Sequence, residues 1–196
     1  MTASVSSESI NQIFTGARTH HAWLDREVGD DVLSQIFDVA KWGPTSVNSL
    51  PARFLFLKSS AAKGNLLPAL AGSNVEQVQA APVTAVIAFD EKFYEKLPAL
   101  FTAFDAKALF QGNPGLSAET AFRNSALQGA YFMLAARALG LDVGPMSGFD
   151  NAKVDEIFFS GTSWKSNFLC NIGYGDPAKL FPRGPRLSFD QAAKIA

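Results

Sequence analysis

Ser125-Ala126-Leu127-Gln128-Gly129-Ala130-Tyr131-Phe132-Met133-Leu134-Ala135-Ala136 carries no charged side chain. It lies inside a run that reads as one long helix over 117–139, capped by Ser117 and stopped by Gly140. Small residues (Ala126, Gly129, Ala130, Ala135, Ala136) alternate with large ones around the whole circumference. A helix that is apolar on all sides must be covered on all sides. The stretch therefore demands either the centre of a domain or a share in a contact between subunits.

Short apolar runs surround this helix. Residues 53–57, 83–88 and 168–172 read as buried strands, and 142–145 as a shorter strand and turn. Helices are expected over 7–17, over 32–40 behind an Asp30 or Asp31 cap, from Ser59 or Ser60 towards Ala69, over 75–80, and from an Asp150 cap through Phe158. Residues 89–116, rich in aromatic side chains among Pro and Gly, read as an excursion that serves as a lid or an interface element. The tail from Leu180 carries Arg183 and Arg186 and a last amphipathic turn. This order predicts a mixed sheet with helices packed on both sides.

The chain has 196 residues, 47% of them apolar, which suits a single domain over 1–196. Its 17 basic and 18 acidic residues leave a formal net charge of −1, without the basic excess a nucleic-acid binder needs. Charged residues make up only 18% and Phe alone counts 17, so part of the surface is expected to be covered, most simply by a second copy. Cys170 is the only cysteine, which excludes an intramolecular disulfide framework and a cysteine-based metal site. His20 and His21 cannot build a zinc centre by themselves. The first fifteen residues hold no basic residue and no continuous apolar core, and no window approaches a membrane span. A cytoplasmic protein is expected.

Several tempting motifs fail on spacing. Gly173-Tyr174-Gly175-Asp176-Pro177-Ala178 fits G-x-G-x-x-G/A after a strand, but Pro177 interrupts the helix that a dinucleotide fold needs there. A strand exit is the better reading. Gly144-Pro145-Met146-Ser147-Gly148 has G-x-x-S-G spacing rather than the G-x-S-x-G of a hydrolase elbow, and neither histidine follows it. A serine hydrolase through Ser147 is therefore disfavoured. Cys170, in an apolar strand without a neighbouring base, reads as an inert thiol. What remains is a set of polar segments beside apolar elements: Arg18-Thr19-His20, Pro44-Thr45-Ser46-Val47-Asn48, Pro145-Met146-Ser147-Gly148, and Arg183 with Arg186. Singly, each is a turn or a solvated charge. Together, the cations, hydroxyls and glycine-containing loop suit a ligand with a phosphate at one end and a flat polar ring at the other.

Five stretches, in register over the whole chain, carry a resemblance. They are Ala17-Arg18-Thr19-His20, Lys41-Trp42-Gly43-Pro44-Thr45-Ser46-Val47-Asn48, Glu119-Thr120-Ala121-Phe122-Arg123-Asn124-Ser125, Gly140-Leu141-Asp142-Val143-Gly144-Pro145-Met146-Ser147-Gly148-Phe149-Asp150 and Gly173-Tyr174-Gly175-Asp176. At these stretches the chain resembles the FMN-dependent nitroreductase family. The resemblance is closest to the subgroup of malonic semialdehyde reductase and NADH dehydrogenase/nitroreductases. It implies an α+β fold, an α/β/α sandwich in an intertwined homodimer with FMN at the subunit interface. Arg18, Thr19 and His20 would then hold the phosphate and ribityl chain, joined by Arg186 or Arg183. Pro44, Thr45, Ser46 and Asn48 would come from the other subunit. Pro145, Met146, Ser147 and Gly148 would pass along the ring, the glycine letting main chain come close.

The implied reaction is ping-pong: NADH or NADPH gives a hydride to flavin N5, and a nitro compound, a quinone or an aldehyde such as malonic semialdehyde then takes it. No side chain is expected to act as a catalyst. The alternative is a non-redox flavin-binding protein on the same fold. Two departures stand out. Many relatives have an arginine where this chain has His20, which shifts phosphate binding towards Arg18 and Arg186. The common Asn-x-Gln-Pro-Trp reads here Asn48-Ser49-Leu50-Pro51-Ala52, which leaves the flavin mouth less polar.

Overall fold

Ala52–Leu57 (β1), Val83–Asp90 (β2), the short Asp142–Met146 (β3) and Trp164–Gly173 (β4) form one sheet in the order β1-β2-β4-β3. The coordinates are a computed structural model that describes residues 3–196. The expectation about the first fifteen residues includes Met1 and Thr2, which lie outside the described residues. Nine helices are described: Ser7–Ile10 (α1), continued by a wide turn over Asn11–Thr15; Asp30–Ala40 (α2); Ser60–Leu66 (α3); Asn74–Ala80 (α4); Leu97–Leu100 (α5); Ala106–Gln111 (α6); Pro114–Ala138 (α7); Asn151–Phe159 (α8); and Phe189–Ala192 (α9).

Successive side chains of a strand face opposite ways, and β2 uses both faces. Val83, Ala85 and Ile87 pack with Leu33, Ile36 and Ala40 of α2 and Phe132, Ala135 and Ala136 of α7. Val86 and Ala88 pack on the other side with Leu66 of α3, Val78 of α4, and Val154 and Phe159 of α8. The result is an α/β/α sandwich of the α+β class. The strand pairings differ from the mixed sheet expected: β1–β2, β2–β4 and β3–β4 are all antiparallel, and the parallel contact is the isolated bridge between Thr19 and Val143. A helix between two strands does not dictate their direction. The links through α3 and α4, and through α8, each leave and return at the same end of the sheet.

The long helix begins earlier than its serine suggests. Asn113 is the cap, its side-chain oxygen accepting from the Leu116 N–H at 3.1 Å, and Pro114 takes the first helical position, where a missing N–H removes no bond. Ser117 lies inside the helix and is buried. Likewise Gly29 caps α2, while Asp30 and Asp31 occupy its first turn, where the helix dipole favours negative charge. The excursion is a third small core: Phe93, Leu97, Ala106 and Phe110 close around Ala121 of α7.

Within one copy, α7 is not covered on all sides. Phe122 remains 55% exposed and Leu127 42%. With Ala126, Ala130 and Leu134 they make a stripe at near four-residue spacing, one face of a helix. Trp42, just beyond α2, is 82% exposed. Among the described residues, no helix is long and apolar enough to cross a membrane.

Candidate functional site

The segment after α1 is zipped onto the end of the sheet. The His20 N–H donates to the Val143 carbonyl (3.2 Å), Leu24 N–H to Tyr174 (2.8 Å), and Asp176 N–H to Ala22 (3.0 Å). Gly175 makes this approach possible: a Cβ there would stand 1.9 Å from Nδ1 of His20. The glycines of the dinucleotide-like motif thus serve packing, as the strand-exit reading holds.

Anchored in this way, the segment lines a cavity of about 540 Å³ together with the C-terminal tail. Arg18, Thr19, Arg183 and Arg186, singled out from the sequence, all line it, and so do His21 and Arg137, which the sequence does not single out. No Asp or Glu is among the lining residues. Where hydrogen-bonded, the guanidinium groups hold main-chain oxygens: Arg18 donates to Phe181, Arg183 to Ala17 (3.0 Å), Arg186 to Gly184 and Pro185 (both 3.0 Å), and Arg137 to Ile13 (3.2 Å). None of the four pairs with a carboxylate among the described residues. Clustered cations without counter-charge suit an anion, and arginine's planar fork suits phosphate.

His20 is not part of that lining. It is 5% exposed, with Nε2 3.4 Å from Asp142 Oδ1, while Asp142 Oδ2 accepts from the Gly175 N–H at 2.9 Å. Burial pulls its pKa below the ordinary value; Asp142 and Asp176 oppose this, and Arg18 and His21 add to it. The imidazole thus stands behind the cavity, packed against Asp142 and Gly175, and not in the lining where the resemblance would put it. Because strand-like backbone alternates, His21 takes the cavity side, its Nδ1 2.8 Å from Gln77 Oε1. A lowered folded pKa means that the unfolded chain binds the proton first. Stability that His20 contributes is thus present above about pH 6.5 and falls as pH drops through the folded value. Thermal melts between pH 7.5 and 5.5 should show a steeper loss in the native protein than in His20→Asn; equal slopes would contradict this.

Helix α4 ties His21 to the loop after β3. Asn74, one turn before Gln77, donates to the Gly148 carbonyl at 2.8 Å, and the Ala71 N–H donates to the same oxygen at 2.9 Å. A Cβ on Gly148 would sit 2.6 Å from Asn74 Nδ2, so a larger residue there would displace the side chain that holds this loop. Pro145 and Ser147 are exposed, while the Met146 side chain is buried in the sheet's second core. Ser147 has neither histidine as a hydrogen-bond partner among the described residues. Cys170 is fully buried, and burial pushes its thiol up to about 12, so it is inert.

Pro44, Thr45, Ser46 and Asn48 lie elsewhere. The α7 side chains hold their loop: Asn124 Oδ1 accepts from the Ser46 N–H (2.9 Å), Gln128 Oε1 from Ala52 N–H (2.8 Å), and the Tyr131 hydroxyl donates to the Pro44 carbonyl (3.1 Å). From the excursion, Leu100 offers its carbonyl to Asn48 Nδ2 at 3.0 Å. Within the loop, Thr45 Oγ1 accepts from Leu50 N–H (3.2 Å). Val47, Asn48 and Leu50 have φ of 47°, 51° and 41°, left-handed backbone that a β-branched or bulky residue adopts only when its surroundings enforce it. The thirteen residues from Asn124 to Arg137 separate this loop from the arginine cavity by roughly 20 Å along α7, at about 1.5 Å per residue. Within the chain, the loop and the arginine cavity do not meet. The polar α7 residues at four-residue spacing, Asn124 and Gln128, were the readable signal for the loop's support.

Known proteins share this chain's sequence and fold. Residues 15–174 match the model of the nitroreductase family. A protein of Stenotrophomonas maltophilia named "Putative NADH dehydrogenase/NAD(P)H nitroreductase" is 58% identical over 196 residues, all of both chains. One of the same name from Xanthomonas oryzae pv. oryzae is 57% identical over 195 residues, again covering all of both. Among solved structures, a protein of Exiguobacterium sibiricum in complex with FMN superposes with a TM-score of 0.84 at 23% identity, covering 100% of each chain.

Proposed function

The chain belongs to the nitroreductase family, and on that premise we propose that it is an FMN-dependent NAD(P)H oxidoreductase. The observation that carries this reading is the cavity where four arginines meet no carboxylate. Such a cradle fits the phosphate of FMN, the group in the Exiguobacterium sibiricum complex. Bound FMN supplies the redox chemistry, accepting a hydride from NADH or NADPH and yielding it to a small acceptor.

Arg18, Arg183 and Arg186 hold the phosphate, and the Thr19 hydroxyl adds a hydrogen bond. The loop Pro145-Met146-Ser147-Gly148, fixed by Asn74 and the Ala71 N–H, presents main chain to the ring. The strained loop with Pro44, Thr45, Ser46 and Asn48 comes from a second copy. That copy covers the stripe Phe122, Ala126, Leu127 and Ala130, whose small residues let two helices approach closely, so the active unit is a homodimer of single-domain chains. The acceptor is a nitro compound, a quinone or a small aldehyde such as malonic semialdehyde, which the protein's own side chains need only exclude from water and orient.

The test is anaerobic mixing of the purified protein with NADH and NADPH, followed by an acceptor panel. A yellow protein whose visible flavin band bleaches and then recovers with one of these acceptors supports the reading. A colourless protein that takes up no added FMN ends it, and a flavin that neither nicotinamide reduces leaves only non-redox binding.

A further inference from the structure

We infer that Arg137 is a phosphate-binding residue of this site, a fourth cation supplied by the end of the long helix. The inference rests on the FMN reading above. Arg137 is the one charged residue of α7 beyond Arg123. A cation in the last turn is expected to favour the helix dipole, but that role asks only for a solvated side chain. This one is half-buried and lines the same cavity as Arg18, Arg183 and Arg186.

Its three nitrogens are used differently. Nη1 donates to the Ile13 carbonyl at 3.2 Å, which fixes the guanidinium plane against the turn after α1. Nε is sealed from solvent without a partner. Nη2 has no partner among the described residues and is not sealed. A side chain of the same turn also holds the end of α7, Gln12 Nε2 donating to the Arg137 carbonyl at 2.8 Å. The side chain is therefore oriented before any ligand arrives, and burial of its charge is not offset by any carboxylate in the lining. Burial depresses its pKa, with Cys170 and Asp142 acting in the opposite sense. A guanidinium held in this way, with one free edge on an acid-free cavity, is stabilised by an anion that brings its own negative charge. A phosphate monoester does so, carrying about −1.5 to −2 near neutral pH.

The experiment compares FMN with riboflavin, which lacks only the phosphate, by flavin-fluorescence titration of apoprotein. Native protein, Arg137→Met and Arg137→Lys are each titrated with both. A charge-assisted hydrogen bond to phosphate predicts a loss of FMN affinity of roughly 10- to 100-fold in Arg137→Met. Riboflavin affinity should be unchanged, and Arg137→Lys should recover part of the loss. Two results overturn the inference: FMN affinity within twofold of native in Arg137→Met, or an equal fall for FMN and riboflavin, which would mark a purely structural arginine. If Arg137→Met fails to fold, Arg137→Lys alone decides, because it keeps charge and length but loses the planar fork. Native protein that binds neither flavin refutes the FMN reading itself, a result distinct from both.

Discussion

The Phe122→Glu/Leu127→Glu double variant is expected to sediment as a monomer and to purify without flavin. Both side chains stand on the uncovered face of α7, 55% and 42% exposed in a single copy. Contiguous apolar surface of this kind marks an interaction site. Two carboxylates placed opposite two more across a symmetric contact repel and lose hydration together. The expected loss is several kcal/mol of association, enough to dissociate a dimer at micromolar concentration. Since the arginine cavity and the strained loop lie roughly 20 Å apart along one helix, separation should also remove half of the flavin site. Analytical ultracentrifugation and the visible spectrum read both effects. Retained yellow colour in a monomer would refute the shared site, whereas an unchanged dimer would place the contact elsewhere.

Loss of two of the arginines proposed to hold the phosphate should be nearly as severe. Arg18→Ala alone is expected to weaken FMN by about 1.5–3 kcal/mol, the range for hydrogen bonds to charged groups. Arg18→Ala with Arg186→Ala should approach the sum, roughly 10²- to 10⁴-fold in Kd, if the two act on the same phosphate independently. Arg18 also donates to Phe181, so its removal loosens the tail that carries Arg183 and Arg186; a loss beyond the sum would show that coupling. Added salt should weaken FMN binding less in the double variant than in the native protein, because fewer exposed charges remain to screen. FMN affinity that stays at the native level would place the phosphate outside this cavity.

Much of the fold was legible without coordinates. Local propensity and hydrophobic period place β1, β2, β4, α2 and α8 within a few residues of their observed bounds, because burial of an apolar face is the same demand in sequence and in space. Boundaries ruled by capping were less legible. Asn113-Pro114-Gly115 looks like a break, yet it starts α7, since asparagine caps and proline tolerates the first position. The candidate site residues divide in the same way. Arg18, Thr19, Arg183 and Arg186 could be named and do converge. His20 and His21 are adjacent in sequence but opposite in space, and only the pairing of Thr19 with Val143 decides which side each takes.

By itself, the order of residues determined which segments are apolar, how long each element can be, and that arginines and hydroxyl-rich turns stand beside apolar elements. Tertiary structure alone decided that the strands run antiparallel, that Arg137 joins the other arginines, and that the loop of Ser46 and Asn48 is held far from them. The physical reason is the range of the interactions. Periodicity and caps act within a few residues, whereas the meeting of residues 18, 137 and 186 is set by backbone pairing and close packing across more than a hundred positions.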